Sequence, residues 1–319
     1  MKILVVGGAG YIGSHVAKQL RDHGRQVVIF DNLSSSKREN VLVGEDFIFG
    51  DVRNFEEISQ AMKGADAVIY LEALKAAGES MIQPEGYAIN NISGAINLLN
   101  AMCLNNVKKI IFSSTAAVYG EPKYLPVDEK HPLEPLNFYG FTKLEIERIL
   151  KWYGQLKGIK FAALRYFNAV GYDATGEVRS LENNPQNLLP IVMEVLTGQR
   201  KELTVFGHDY DTPDGTCVRD YIHVEDLADA HLKALDHLEN SFTVNLGTKF
   251  GLSVLEIIEA VKRISGKDFP VKMGQRRPGD PPCLLADSSL AFELLGWQAK
   301  HSSLENIVKT TLKAYGFEN

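Results

Sequence analysis

The chain has 319 residues, with 34 Lys and Arg against 40 Asp and Glu, a net charge of -6. At roughly 150 residues per domain that is room for two domains, and the acidic balance argues against a nucleic-acid surface; an anionic ligand would need local arginines. Three widely spaced cysteines, Cys103, Cys217 and Cys283, form no Cys-x-x-Cys pair, so neither a disulfide framework nor a zinc site is indicated. With no basic-then-apolar leader and no run near the roughly eighteen apolar residues of a membrane span, the composition is that of a cytoplasmic protein with no membrane contact.

Residues 2 to 6, Lys-Ile-Leu-Val-Val, predict a strand buried on both faces. Gly7-Gly8-Ala9-Gly10-Tyr11-Ile12-Gly13 follows at once, and Ile12, Val16 and Leu20 mark one stripe of a helix. Strand, glycine turn and helix in that order let a pyrophosphate approach free helix amides. The next strand, 26 to 30, ends in Asp31, close to the offset of about 20 residues at which an acid meets the adenosine ribose. The absence of a basic residue directly after Asp31 favours NAD over NADP. Strands at 47 to 49, ending in Asp51-Val52, and at 67 to 70, with a helix between them to about Lys63, continue the alternation. The expected class is α/β, a Rossmann-type doubly wound parallel sheet. Ligands then belong beyond the carboxyl ends of the strands, at Asp31, Asp51, 71 to 75 and Ser113-Ser114-Thr115, which follows a strand at 109 to 112.

The stretch from Glu121 to Leu136, rich in proline and charge, predicts a surface loop leading into a helix from about Tyr139 to Lys157. A spacing of four puts Tyr139 and Lys143 on one face, and a phenol beside an ammonium is a proton-transfer pair, the charge favouring phenolate. The same spacing recurs at Tyr119 and Lys123, broken by Pro122, and at Tyr153 and Lys157, which reads as helix surface. Only the Tyr139 copy follows a strand ending in hydroxyl residues on the cofactor edge. After the strand from 160 to 167, residues 169 to 187 lose apolar periodicity and mark a domain boundary or a substrate loop. Beyond them Asn187 to Pro190 open a helix to about 196, and further helices come near 224 to 238, 253 to 264, 290 to 295 and 304 to 315, with strands near 203 to 206 and 242 to 245 and the run Arg219 to Val224 after a polar turn. The expected division is a dinucleotide-binding domain over 1–168, with 220–245 returning to it, and a smaller α/β C-terminal substrate domain over 169–319.

Along nearly the whole chain the motifs resemble the UDP-glucose 4-epimerase family of the extended short-chain dehydrogenase/reductases. They run through Gly7 to His15, Asp31-Asn32, Leu74-Lys75, Glu79-Ser80, Asn90-Asn91, Phe112 to Thr115, Val118 to Gly120, Tyr139-Gly140, Thr142-Lys143, Arg165 to Asn168, Asp214 to Thr216 and Val218 to Val224. The resemblance implies a bound NAD reduced and reoxidised in each cycle, and exchange of UDP-glucose with UDP-galactose through a 4-keto sugar. Tyr139 would be the base, Lys143 would lower its pKa and hold the nicotinamide ribose, and Thr115 would bond the sugar hydroxyl. To the cofactor it assigns Gly7, Gly10, Tyr11, Ile12 and Gly13, then Asp31, Asn32, Asp51 and Val52, then Lys75, Asn91, Ser113, Tyr139, Lys143 and Tyr166. To the nucleotide diphosphate it assigns Asn168, Asn187, Leu188, Arg219 and Arg277, with Phe206 and Tyr221 nearby and Asp280 on the ribose. Relatives pair as homodimers through the Tyr139 helix and the helix near Asn91 to Cys103.

Departures from that pattern are informative. Tyr70, Leu71 and Glu72 stand where the family carries a histidine, an aromatic and small residues, and a carboxylate beside a pyrophosphate repels it. Phe138 and Ala169 replace prolines. Leu284 stands where a bulky aromatic narrows the sugar pocket and a small residue admits N-acetylated sugars, so UDP-N-acetylglucosamine or another UDP-sugar is the alternative substrate. A 4,6-dehydratase needs an acid pair where Ala116-Ala117 stand, and a non-catalytic dinucleotide sensor has no need of Thr115, Tyr139 and Lys143 together.

Overall fold

The computed structural model describes residues 1–181, 185–277 and 280–317, so that Pro278 and Gly279, inside the Arg276 to Asp280 motif, lie outside the described residues. In chain order the elements begin β1 (Lys2–Val6), α1 (Tyr11–Asp22), β2 (Gln26–Asp31), β3 (Asp46–Phe49), α2 (Phe55–Ala61), β4 (Ala67–Tyr70), α3 (Ala77–Ser80) and α4 (Pro84–Tyr87). A π-helical stretch, Ala88–Ser93, runs into α5 (Gly94–Leu104), followed by β5 (Lys109–Thr115), α6 (Phe138–Lys157), β6 (Lys160–Tyr166) and β7 (Asn168–Val170). The remainder comprises α7 (Leu188–Leu196), β8 (Leu203–Phe206), β9 (Val218–His223), α8 (Val224–Asp236), β10 (Phe242–Leu246), β11 (Gly251–Ser253), α9 (Val254–Ser265), β12 (Val271–Gly274), β13 (Cys283–Leu284), α10 (Ser289–Leu295) and α11 (Leu304–Ala314).

Seven strands form one sheet in the order β3-β2-β1-β4-β5-β6-β10, every pairing parallel. Successive side chains of a strand point to opposite faces. Accordingly Ile3, Val5, Val27 and Ile29 pack with Val16 and Leu20 of α1 and Leu227 and Leu235 of α8. Their neighbours Leu4, Val6, Val28 and Phe30 pack with Ile58 of α2, Leu98 and Met102 of α5, and Ile146 and Leu150 of α6. With both faces covered, the expected doubly wound sheet is the one observed. The chain leaves β1 toward β2 on one side and meets β4 on the other, so the strand order reverses between β1 and β4, where ligands bind in such sheets. There the amides of Leu71 and Glu72 both donate to Val6 O, at 2.9 and 3.2 Å.

The second core gathers α7, α9 and α11 with β8 and β9. β9 pairs with β7, β11 and β13, and β8 with β12. Two departures from the sequence reading follow. β5 runs through Ser113, Ser114 and Thr115, which pair with Leu164, Arg165 and Tyr166, rather than ending at Phe112. α10 and Trp297, read as part of the C-terminal domain, bury Ala291, Leu295 and the indole in the first core beside β10, the indole N–H donating to Asp226 O. Among the described residues no helix is long and apolar enough to cross a membrane.

Candidate active site

The glycine turn is shaped by close backbone approach. Gly7 has φ +80°, and a Cβ on Gly13 would fall 2.2 Å from Gly7 O, so only glycine fits there. α1 starts at Tyr11 with no acidic residue in its first turn, leaving its amides to face a cavity of about 290 Å³. That cradle, with free amides at a helix N-terminus, fits a dinucleotide pyrophosphate.

One wall of the cavity carries Gly7, Gly10, Tyr11, Ile12 and Gly13, and its far end carries Asp31 and Asn32. The opposite end carries Ser113, Tyr139, Lys143 and Tyr166, and Lys75 and Asn187 border it too. Three of the residues assigned to the cofactor lie one layer back. Asp51 accepts from Asn32 Nδ2 at 2.9 Å and from Arg53, which holds its carboxyl well below the usual range. Val52 is core. Asn91 is buried, clamping the Leu74 amide and carbonyl at 2.9 and 3.0 Å and donating to Thr142 at 3.0 Å, so it shapes the loop that carries Lys75.

At the chemical end, Asn137 caps α6 by accepting from the Gly140 amide at 2.8 Å, which fixes Tyr139 in the first turn. Lys143, one turn on, is buried over Phe112 and donates to Ser113 O at 2.8 Å. Burial lowers its pKa to about 8, with Glu72 pulling upward. Burial raises the Tyr139 phenol to about 12, opposed by its hydrogen bond with Thr115. The net shift on Tyr139 is therefore upward in the free protein, not downward as the spacing with Lys143 suggests, because desolvation penalises phenolate more than its surroundings favour it. Tyr166 shares a hydrogen bond with Ser113 Oγ.

The second half of the site is looser. Asn168 donates to Asp220 O at 3.0 Å beside buried Tyr221, its partner across β7 and β9. Asn187 is the N-cap of α7 and Leu188 its first residue. The Arg277 guanidinium lies 4.0 Å over the Phe206 ring. Arg219 donates to Val218 O at 3.0 Å and stands 3.7 Å from Asp280. Leu284 pairs with Arg219 and packs with Phe167 against the cluster of Ala116, Val118 and Leu144, next to Thr115. Asn168, Leu188, Phe206, Arg219, Tyr221, Arg277, Asp280, Leu284 and Thr115 do not line the glycine-turn cavity; among the assigned substrate residues, Tyr139 and Asn187 do.

Residues 3–247 match the NAD dependent epimerase/dehydratase family. The UDP-glucose 4-epimerase of Halalkalibacterium halodurans is 44% identical over 314 residues, 97% of this chain and 94% of that protein. The chain belongs to the UDP-glucose 4-epimerase family. The crystal structure of the Brucella ovis UDP-glucose 4-epimerase in complex with NAD superposes with a TM-score of 0.97 at 43% identity, covering 99% of each chain. The enzyme from Stenotrophomonas maltophila, with bound NAD and formylated UDP-arabinopyranose, superposes at 0.95 with 41% identity, covering 99% and 98%.

For a member of this family, three features of the site escaped the sequence reading. The segment after β7 closes over the cavity through Ser180, Leu181, Pro185 and Gln186. It is tied to α1 by Tyr11 Oη donating to Gly171 O at 2.5 Å and by a hydrogen bond between Ser14 and Ser180. The sequence marks 169 to 187 as a domain boundary or a substrate loop, without its contact with the glycine-turn helix. Beneath Thr115, Glu147 accepts from Ser114 Oγ at 2.5 Å and from Arg165 at 2.9 and 2.5 Å, a buried pair that α6 and β6 bring together. Glu72 is held by Asn90, which donates to Oε1 at 2.8 Å, a partner visible only once the π-helical stretch is folded.

Proposed function

We propose that this chain interconverts UDP-glucose and UDP-galactose as an NAD-dependent 4-epimerase, with Tyr139 as the general base. One observation carries the reading: a single cavity has the glycine turn and Asp31 at one end and Ser113, Tyr139 and Lys143 at the other. Membership of the family supports it, as does the UDP-sugar bound by the Stenotrophomonas relative. The residues of the turn, with Asp31, would hold the dinucleotide, and when bound NAD supplies a reversible electron-pair acceptor for sugar carbon 4. Tyr139 takes the proton of the 4-hydroxyl and returns it after the 4-keto sugar has turned over. In the free protein only the Thr115 hydrogen bond opposes the burial that raises the phenol to about 12. In the working complex the Lys143 ammonium, largely protonated near neutrality at a pKa of about 8, would supply the positive charge that favours phenolate. Thr115 orients the phenol by hydrogen bond.

Asn168, Asn187 and Leu188, with Arg219 and Arg277, grip the uridine diphosphate, aided by Phe206, Tyr221 and Asp280. Planar guanidinium groups suit phosphate oxygens. Affinity spent on the nucleotide leaves the sugar ring free to turn, which epimerisation requires. The protein works as a homodimer. Phe141, Trp152 and Leu156 lie exposed on one stripe of α6, with Ile96 and Leu104 exposed on α5, an apolar face that pairing would cover. Its three unbonded cysteines suit the reducing cytoplasm.

The test is incubation of the purified protein with UDP-glucose, UDP-galactose and their N-acetylated counterparts, scoring epimers. Tyr139→Phe should lower turnover by about 10²-fold or more, the range for losing a general acid-base group, while still binding NAD. Near-normal turnover in that variant removes Tyr139 as the base.

A further inference from the structure

A buried anion in a site shaped for an anionic ligand calls for a physical account. Glu72 stands against the first glycine of the turn, where a Cβ on Gly7 would lie 2.7 Å from Glu72 N, and it forms part of the cavity wall. Its two oxygens differ. Oε1 accepts from Asn90, whereas Oε2 is buried with no hydrogen-bond partner among the described residues. The Tyr70 hydroxyl, below it on β4, is buried and likewise lacks a well-formed partner; burial first, then the charge of Glu72 and its close approach as a hydrogen-bond acceptor, raise the phenol's pKa.

The charged groups that face Glu72 do not neutralise it. Lys143 on α6 attracts it, while Asp51 after β3 and Asp31 at the end of β2 repel it. Arg53 also attracts it, but is committed first to Asp51 at 2.5 Å. Burial first, and then these acids, raise the Glu72 carboxyl to about 6 against the pull of Asn90 and Lys143. A pyrophosphate in the cradle brings two more negative charges to the same wall, and a proton on Oε2 would remove the repulsion and turn an orphan acceptor into a donor.

We propose that Glu72 is a proton-linked determinant of cofactor binding: the dinucleotide is held by the form in which Glu72 is a neutral carboxylic acid, so NAD binding takes up one proton from solvent. Only the O–H bond on Glu72 forms. The inference rests on the NAD site of the preceding section and adds a linkage that the glycine turn does not supply.

Equilibrium dialysis of the full-length protein against NAD, from pH 6 to 7.5, tests it. If only the neutral acid binds, the Kd rises about fifteenfold across that range, while in Glu72→Gln it stays within about threefold. The range stops at pH 7.5, below the pH of about 8 at which Lys143 has lost half its own charge. A second measurement needs no variant. Calorimetric titration of the parent protein with NAD at pH 7, in two buffers of different ionisation enthalpy, should register close to one proton taken up per NAD. Tight binding with no proton uptake, or the same pH slope in both proteins, overturns the role of Glu72 and leaves the NAD site standing. Absence of NAD binding at every pH in both proteins overturns the site and the linkage together.

Discussion

In the proposed site the cofactor half is assembled from backbone, whereas the half proposed for the sugar nucleotide is assembled from side chains. At the first, the parallel ladders of β1 with β2 and β4 set where the glycine turn, Asp31 and Leu71 meet, and both faces of that sheet are locked in core. At the second, Arg277 rests on half-exposed Phe206 at the end of β8, paired only with β12, and Arg219 spends its charge near Asp280. A site built from backbone is ready before its ligand arrives. A site built from side chains must first give up the partners it holds, so part of its binding energy goes into rearrangement.

That contrast predicts where a substitution acts. The largest effect falls beneath the backbone-built half. Glu147→Leu strands a buried Arg165 and frees Ser114, the residue between Ser113 and Thr115, and should cost about 3–5 kcal/mol of stability in denaturant unfolding. A loss below about 1 kcal/mol would mean that the strand end supports itself. Arg277→Ala is the opposite case. It should raise the KM for UDP-glucose roughly 10- to 100-fold, the worth of about 1.5–3 kcal/mol for a charge-assisted contact, while stability and NAD affinity barely change. A parallel loss of NAD affinity would show that the two halves are not separable.

Glu72 sharpens the comparison by pH. Its folded pKa of about 6 lies above an ordinary 4.5, so the contribution of Glu72 to stability is complete below about pH 4.5 and is lost as pH rises through 6. Relative to Glu72→Gln, the NAD-free parent should therefore lose about 2 kcal/mol between pH 4.5 and 7.5. A constant gap in Tm across that range would mean that the carboxylate finds a partner when charged.

The same division governs what the sequence disclosed. Strand, glycine turn, helix and acid follow one another within 31 residues, and local order of that kind is readable because the backbone alone makes the site. Ser113 to Thr115 read as following the strand at 109 to 112, because serine and threonine commonly close strands as turn formers. They extend β5 because Glu147 and Tyr166, 33 and 53 residues away, satisfy the hydroxyls of Ser114 and Ser113. β11, β12 and β13 are two to four residues long and have no periodicity to read. Nothing near α10 signals that Trp297 returns to the first core, since its partner Asp226 is 71 residues earlier. The charge on Glu72 was legible; the hydrogen bond from Asn90 and the empty side of Oε2 were not.

The smallest predicted effect concerns which sugar enters. Leu284 sits where the side-chain-built half meets the chemistry, paired to Arg219 on one side and packed near Ala116 on the other. In the proposed site its isobutyl group would take up space that an N-acetyl substituent needs, and a hydrophobic contact of that size discriminates by only about 1–3 kcal/mol. Leu284→Ala should therefore raise the ratio of kcat/KM for UDP-N-acetylglucosamine over UDP-glucose by about tenfold, and Leu284→Tyr should lower it. Because neither change touches the glycine turn, NAD affinity should hold in both. If the ratio moves in neither variant, the sugar pocket is bounded elsewhere, and Phe138 at the start of α6 and Ala169 in β7, where the family carries prolines, become the positions to test for substrate breadth.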